Sequence, residues 1–481
     1  MSGGFLSTYA KGIPPNTRVE SFARAEERLT WASLFFSDFP NADVYLVGGA
    51  LRDALLGILP TDIDIVIRNV EIKDLHHWLT RHGACELVEK RFGTLKFIPH
   101  GQGGTEPIDI TLPRKEWVEG DHASTRRSLA VSSDPRLSIK DDLSRRDFTM
   151  NAMAFDLRRN TLLDPYGGLQ DIQNGLIRTV LSPHARFYED ATRMLRALRF
   201  ASQLSFGIEA GTWQALKENI HLINNQVLTE NGTHRYTVAR ESIGREFLLG
   251  LTVHPAHTLD VWNEAGALRA FLPDVHALQS IVEPDGETAY QKTRTLLELL
   301  KRPSLLAQHG LRQVPATLLA AALTVFAQEE KEQRAYHICK DLYFHQFASG
   351  HHARVDCEEL LWLMDHVHDF ESQDPASLRP SEFERLYCSE RGKRLLILMH
   401  ATAIASKRHT PARERIHTAR TISQRFCAER PEELITGHDI EALGIPPGPV
   451  YRELMDRVRD NQLLNQISTK QDAIHILKEH S

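Results

Sequence analysis

Only five cysteines occur in 481 residues, at Cys85, Cys339, Cys357, Cys388 and Cys427. They stand far apart with no CxxC pair, which excludes a disulfide framework and a thiolate zinc site. No run of about eighteen apolar residues is present, so no membrane span is expected. The first residues, with Lys11, Pro14, Pro15 and Arg18, lack the apolar core of a secretory signal. These absences point to a cytoplasmic protein. The GxxxxGK[ST] phosphate loop and the HExxH zinc pattern are also missing. A net charge of -6 argues against a chain that coats nucleic acid indiscriminately. A local basic stretch remains: between Lys407 and Arg430 seven Lys or Arg face only Glu414 and Glu429. It reads either as a solvated helix face or as a surface turned towards phosphates.

What is present begins with an ordinary globular mixture, 42% hydrophobic and 25% charged, in a chain too long for one core. The pattern changes near residue 160. Before it, β-rich runs at 43–47, 62–67, 94–98 and 108–112 alternate with helical stretches, including a helix over 50–56 closed by Gly57 and Pro60. Beyond residue 185 the helical period dominates. The fold class expected is α+β: a head with a mixed β-sheet at 1–160, then an elongated all-α body. The body divides into a helical neck at 161–273, a helical domain at 274–375 and a helical tail at 376–481. The polar stretch 112–142 shows no convincing period and reads as a long functional loop.

The first chemical signal is Asp62-Ile63-Asp64. On a strand, positions two apart share a face, so both carboxylates point one way and need a cation between them. Hard oxygen ligands suit Mg²⁺. Upstream, Gly48 and Gly49 follow a strand and open a helix, where backbone N–H groups meet a bulky anion. Arg52, one turn further, reaches for the same anion. A glycine turn for a triphosphate and a carboxylate pair for metals fit in-line nucleotidyl transfer. Asp109, polar between Ile108 and Ile110, is the candidate third carboxylate, with Glu106 as the alternative.

The run Gly48-Gly49-Ala50-Leu51-Arg52-Asp53 with Asp62-Ile63-Asp64 resembles the head motif of the class II tRNA nucleotidyltransferase/poly(A) polymerase family. Arg145-Arg146-Asp147-Phe148-Thr149-Met150-Asn151-Ala152 resembles its second motif, Asp164-Pro165-Tyr166-Gly167-Gly168 its third, and Glu189-Asp190-Ala191-Thr192-Arg193 its fourth. The resemblance implies a polymerase-β-like head, two Mg²⁺ ions and nucleotide addition to an RNA 3′ end. Arg146 is expected to bind phosphate or sugar oxygens, Asp147 to accept from a ribose hydroxyl, and Asn151 to donate to a phosphate. Gly167-Gly168 suits a hinge or a simple turn. Asp190, Arg193, Arg196 and Arg199 recur every three residues and are expected to form one helical stripe that calls for an anion. Asp190 and Arg193 also match the amine and ring nitrogen shared by cytosine and adenine, which would admit CTP and ATP and refuse UTP and GTP.

Further along the match loosens. Val238-Ala239-Arg240-Glu241-Ser242 resembles the fifth motif with Ser242 in place of the usual Arg. Thr324-Val325 stands where bacterial relatives carry a metal-binding His-Asp doublet, so no phosphohydrolase is expected. His368-Asp369 and His438-Asp439 lack the surroundings of such a doublet. Gly444 and Gly448 bound a turn that either meets RNA phosphate or packs two helices. The resemblance implies tRNA, CTP and ATP as partners and CCA addition as the activity. Poly(A) synthesis, CC-only or A-only addition, and an inactive RNA-binding protein are the alternatives. Oligomeric state is left open.

Overall fold

The computed structural model describes residues 14–89, 93–119, 128–228, 231–327, 339, 355–407, 410–428, 430–445 and 448–478. The chain divides into two compact units. One is Met1–Glu246 with Glu264–Ala270; the other is Phe247–Asn263 with Phe271–Ser481.

The first unit is built on a seven-stranded mixed sheet in the order β3-β4-β5-β2-β1-β8-β9. The strands are β1 (Asp43–Val47), β2 (Ile63–Arg68), β3 (Gly83–Glu89), β4 (Thr94–Pro99), β5 (Ile108–Thr111), β8 (Ala154–Asp156) and β9 (Thr161–Leu163). Strands β2 and β5 run parallel, and every other neighbouring pair is antiparallel. β1 and β2 occupy central places and bury Val44, Leu46, Val66 and Ile67 completely, which is why their sequences are nearly continuous in branched residues. Tyr45, Val47, Val66 and Ala154 of the sheet form one core cluster with Leu143, Ala152 and Val180.

With α1 (Pro15–Ala25) and α2 (Trp31–Asp38) before β1 and α4 (Ile72–His82) after β2, helix α3 (Gly48–Leu56) springs directly from the end of β1. It begins at the glycine pair itself, two residues earlier than the pattern predicts, and ends at Gly57 in the left-handed conformation. Strand β2 starts at Ile63, so Asp62 lies just outside it and is exposed. The stretch 112–142 is not a structureless loop. It holds the antiparallel hairpin β6 (Arg114–Glu119) and β7 (Ser128–Ser133), then helix α5 (Ile139–Ser144); residues 120–127 lie outside the described ones. Ser138 and Asp141 form a reciprocal capping box that starts α5.

After β9 come α6 (Gly168–Asn174), α7 (Pro183–Glu189) and α8 (Thr192–Leu204). Gly168 is not a loose hinge position. A Cβ there would lie 2.1 Å from the Thr149 carbonyl oxygen, and Asp164 accepts the Gly168 and Leu169 N–H groups at 2.7 and 2.9 Å. The glycine is required by close backbone packing.

The second unit is helical throughout its named elements. Thr324 and Val325 are buried, and the Thr324 hydroxyl donates to the Ala321 carbonyl at 3.1 Å and meets Met364 Sδ at 3.4 Å. The doublet position therefore serves packing. His368 follows the end of helix Cys357–His366, and Asp439 caps the helix Gly437–Glu441 through Thr436. Residues 446 and 447 of the expected Gly444–Gly448 turn lie outside the described residues. Cys85, Cys339 and Cys357 are free thiols. No helix among the described residues is long and apolar enough to cross a membrane.

Candidate functional site

A cleft of about 400 Å³ in the first unit is lined by Gly48, Gly49, Asp64, Asp109, Arg146, Asp147, Asn151, Asp190, Arg193 and Arg196. Thr111, Arg114 and Arg145 join them. Segments more than a hundred residues apart in sequence meet there because the sheet brings the ends of β1, β2 and β5 together.

Register sets the acidic wall. Asp64 pairs with Val47 on one side and Asp109 on the other, and Asp109 pairs with Lys96 on β4. Four strands thus present Val47, Asp64, Asp109 and Lys96 in one row. Asp64 makes no hydrogen bond or ion pair with another described residue, and burial, with help from Asp109 and Asp62, pushes its carboxyl above the ordinary value against the pull of Arg146. Lys96 Nζ stands 3.3 Å from Asp109 Oδ1, yet that buried oxygen lacks a well-aligned hydrogen-bond donor. Under-used carboxylate oxygens set side by side are the donor set a hard divalent cation takes. Among the described residues no three His, Cys, Asp or Glu side chains are already gathered in a metal-holding group. Asp64 and Asp109 are neighbours, whereas Asp62 stands outside the cleft lining.

The glycine turn is shaped by its neighbours. Gly48 has φ +68°, and a Cβ there would meet Arg146 Nη1 and Asp64 Oδ2, each at 3.0 Å. Arg52 does not reach the cleft. Its guanidinium is held by Asp53 at 2.8 Å and by Asn151 Oδ1 at 2.9 Å, and lies over the Phe200 ring. Asn151 is a bridge, since its amide also donates to Asp147 Oδ1 at 3.0 Å.

The arginine stripe is real but already neutralised. Arg193 Nη1 pairs with Glu189 at 3.0 Å, Arg196 Nε with Asp147 at 2.8 Å, and Arg199 Nε with Glu246 at 2.5 Å. Each arginine therefore has a carboxylate, so the stripe does not by itself demand an anion. Arg199 and Arg52 sit beneath the site, not in it. Asp190 is not on the stripe helix: it follows α7 as its cap and accepts from Thr192 N–H and Oγ1 at 2.9 and 2.6 Å. It still faces the same cleft as Arg193. Burial would raise the Asp147 carboxyl, but Arg196, Asn151 and the Phe148 N–H more than offset this and hold it at about 2.

Sequence reading gave no role to Arg114, Arg145, Thr111, Lys96, Glu189 and Glu246, although Arg145 and Glu189 open two of the motifs. Arg145 adjoins Arg146 and was in plain view. Arg114 fell inside the stretch read as loop, and Lys96 shows only through strand register. Glu106, the alternative third carboxylate, does not line the cleft.

Residues 44–178 match the family described as Poly A polymerase head domain. The CCA-adding enzyme of Ligilactobacillus salivarius is 38% identical over 183 residues, which is 38% of this chain and 41% of that protein. The match thus spans about two fifths of that curated relative. The structure of the Bacillus stearothermophilus CCA-adding enzyme in complex with CTP is similar with a TM-score of 0.62 at 22% identity, covering 97% of this chain and 98% of that one. The Thermotoga maritima CCA-adding enzyme complexed with tRNA_CCA gives 0.59 at 20% identity, covering 96% and 97%. At such identities these likenesses show a shared fold.

Proposed function

We propose that this chain adds CMP and AMP, from CTP and ATP, to the 3′ end of tRNA without a nucleic-acid template, acting in the cytoplasm. The observation that carries the reading is the convergence of three sequence motifs and Asp109 on one cleft: Gly48, Gly49 and Asp64; Arg146, Asp147 and Asn151; Asp190, Arg193 and Arg196. The names borne by the similar proteins, CCA-adding enzymes among them, support it.

Asp64 and Asp109 would hold Mg²⁺, and Asp62, just before β2 and outside the cleft lining, adds negative charge near Asp64. When bound, the metal supplies activation of the attacking 3′ hydroxyl and charge neutralisation of the pyrophosphate leaving group. Arg146 and its neighbours grip the triphosphate, an anion that the surrounding guanidiniums meet with charge-assisted hydrogen bonds. Gly48 and Gly49 keep the strand end bare so the phosphates approach the backbone. Asp190 accepts from the exocyclic amine of cytosine or adenine, and Arg193 donates to the adjacent ring nitrogen. Thr192 and Glu189 hold these two groups in place. Uracil and guanine present the opposite order and cannot make these two hydrogen bonds.

A second reading, addition of AMP alone, is favoured by the description of the matching head family. The experiment that tests both offers the protein tRNAs lacking CCA, tRNAs ending in CC, and oligo(A), each with labelled CTP or ATP. Stepwise C, C, A products support the proposal. AMP chains on oligo(A) without CMP transfer establish the second reading.

A further inference from the structure

Asp142 in α5 is fully buried and forms no part of the cleft lining, yet every group it holds does. A carboxylate without solvent must have its lone pairs satisfied. Its Oδ1 accepts from Arg145 Nη2 at 2.7 Å, Arg145 Nε at 3.0 Å and the Arg114 backbone N–H at 3.0 Å. Its Oδ2 accepts from Arg146 Nη2 at 3.2 Å. Burial alone would raise this carboxyl, but Arg146 and Arg145 hold it below the ordinary range, so it stays charged at working pH.

The two arginines are themselves mostly buried, with side chains 18% and 17% exposed. Arg146 reaches across to the opposite wall, where its Nη1 and Asp64 Oδ2 crowd the same point above Gly48. Without a counter-charge behind it, a guanidinium so placed would be drawn onto Asp64 and Asp109, the groups the metal needs. Asp142 holds Arg146 from the rear. The Arg145 carbonyl also accepts from Arg193 Nη2 at 3.1 Å, and Arg114 is the first residue of β6. One carboxylate therefore links the phosphate-facing arginines to the base-facing one and to the hairpin.

We infer that Asp142 is a positioning residue that presets Arg145 and Arg146 as a paired grip on the triphosphate of the incoming nucleotide. This rests on the nucleotidyl-transfer reading above. Preorganised cations bind an anion without reorganising first, so the loss of Asp142 falls on nucleotide binding.

The test measures binding of non-transferable α,β-methylene CTP and ATP by titration calorimetry in Mg²⁺ buffer. It compares wild type, Asp142→Asn, Arg146→Ala and the double variant, with melting temperatures recorded for each. Asp142→Ser is a smaller second replacement in case the amide folds poorly. The expected result is a Kd raised by roughly tenfold to a hundredfold for both nucleotides, with little further loss when Asp142→Asn is added to Arg146→Ala. Steady-state kinetics should place the effect in KM more than in kcat. A lowered melting temperature with Kd within twofold of wild type would show a purely structural ion pair and overturn the inference. Full additivity with Arg146→Ala overturns it as well. Absence of nucleotide binding by wild type defeats the functional reading first, and this inference with it.

Discussion

Asp64 and Asp109 stand opposite each other in register on the parallel pair β2 and β5, one strand apart. Parallel pairing places the same face of both strands at the same height, so two carboxylates separated by 45 residues in sequence are forced to share a wall. Their repulsion is offset only partly, by Lys96 beside Asp109 and Arg146 beside Asp64.

Asp64→Asn should reduce transfer at least a hundredfold while tRNA binding stays within a few fold, because phosphate contacts supply most RNA affinity. It should also raise the melting temperature at neutral pH in metal-free buffer. The Asp64 carboxyl is raised by burial and by its acidic neighbours. Its contribution to stability is thus fully present below the unfolded value of about 3.9 and lost as pH rises through the higher folded value. The gain of the Asn variant should therefore vanish towards pH 4 in a calorimetric series. A variant that keeps a tenth of the wild-type rate removes Asp64 from the metal site.

Asp147 should show the opposite sign. Its folded carboxyl is held at about 2, chiefly by Arg196 against the cost of burial. Its stabilisation is present above the ordinary value of about 3.9 and declines as pH falls through the folded one. Asp147→Asn should lower stability by a constant amount from pH 7 to about pH 4, and by progressively less below that. A pH-independent difference down to pH 2 would mean that the Arg196 pair does not depress this group.

Gly168→Ala separates a hinge from a packing contact. A Cβ 2.1 Å from the Thr149 carbonyl cannot be accommodated without moving backbone. A loss of about 1–3 kcal/mol in denaturant unfolding is expected, well beyond an ordinary Gly-to-Ala change. Unchanged stability with slowed turnover would restore the hinge reading.

Removing Arg193 tests base reading. Arg193→Ala should weaken discrimination against UTP and GTP by roughly tenfold to a hundredfold at both the C and the A steps, measured as kcat/KM for four triphosphates. The variant should also lose stability, since Glu189 and the Arg186 and Arg145 carbonyls lose their donor. Slower catalysis with unchanged preference would leave Arg193 a structural clamp.

Much of the site was legible because its chemistry is dense in sequence. Glycines after a strand, Asp62-Ile63-Asp64 and the run from Arg145 to Asn151 carry residue types whose cost is hard to explain otherwise. Asp142 was legible in principle: it precedes Arg145 and Arg146 by three and four residues, the spacing that pairs charges on a helix. It was hidden by a segment whose hairpin and helix show no apolar period. The three arginines do share one helix as read, but Asp190 lies off it, and the expected call for an anion missed Asp147 and Glu246, which arrive from elsewhere in the chain.

The sequence alone indicated the mixed head followed by helices and many of the side chains that line the cleft. These follow from local rules: periodicity, turn residues and the chemistry of charged clusters. Tertiary structure alone decided which groups share the cleft and which sit beneath it. Strand register set Asp64 against Asp109 and Lys96, and drew Asp62 out of the row. Packing turned Arg52 onto Asn151 and Arg199 onto Glu246. The physical reason is that a buried charge takes the nearest counter-charge in space, and nearness in space is fixed by the sheet and helix packing of the whole unit rather than by spacing along the chain.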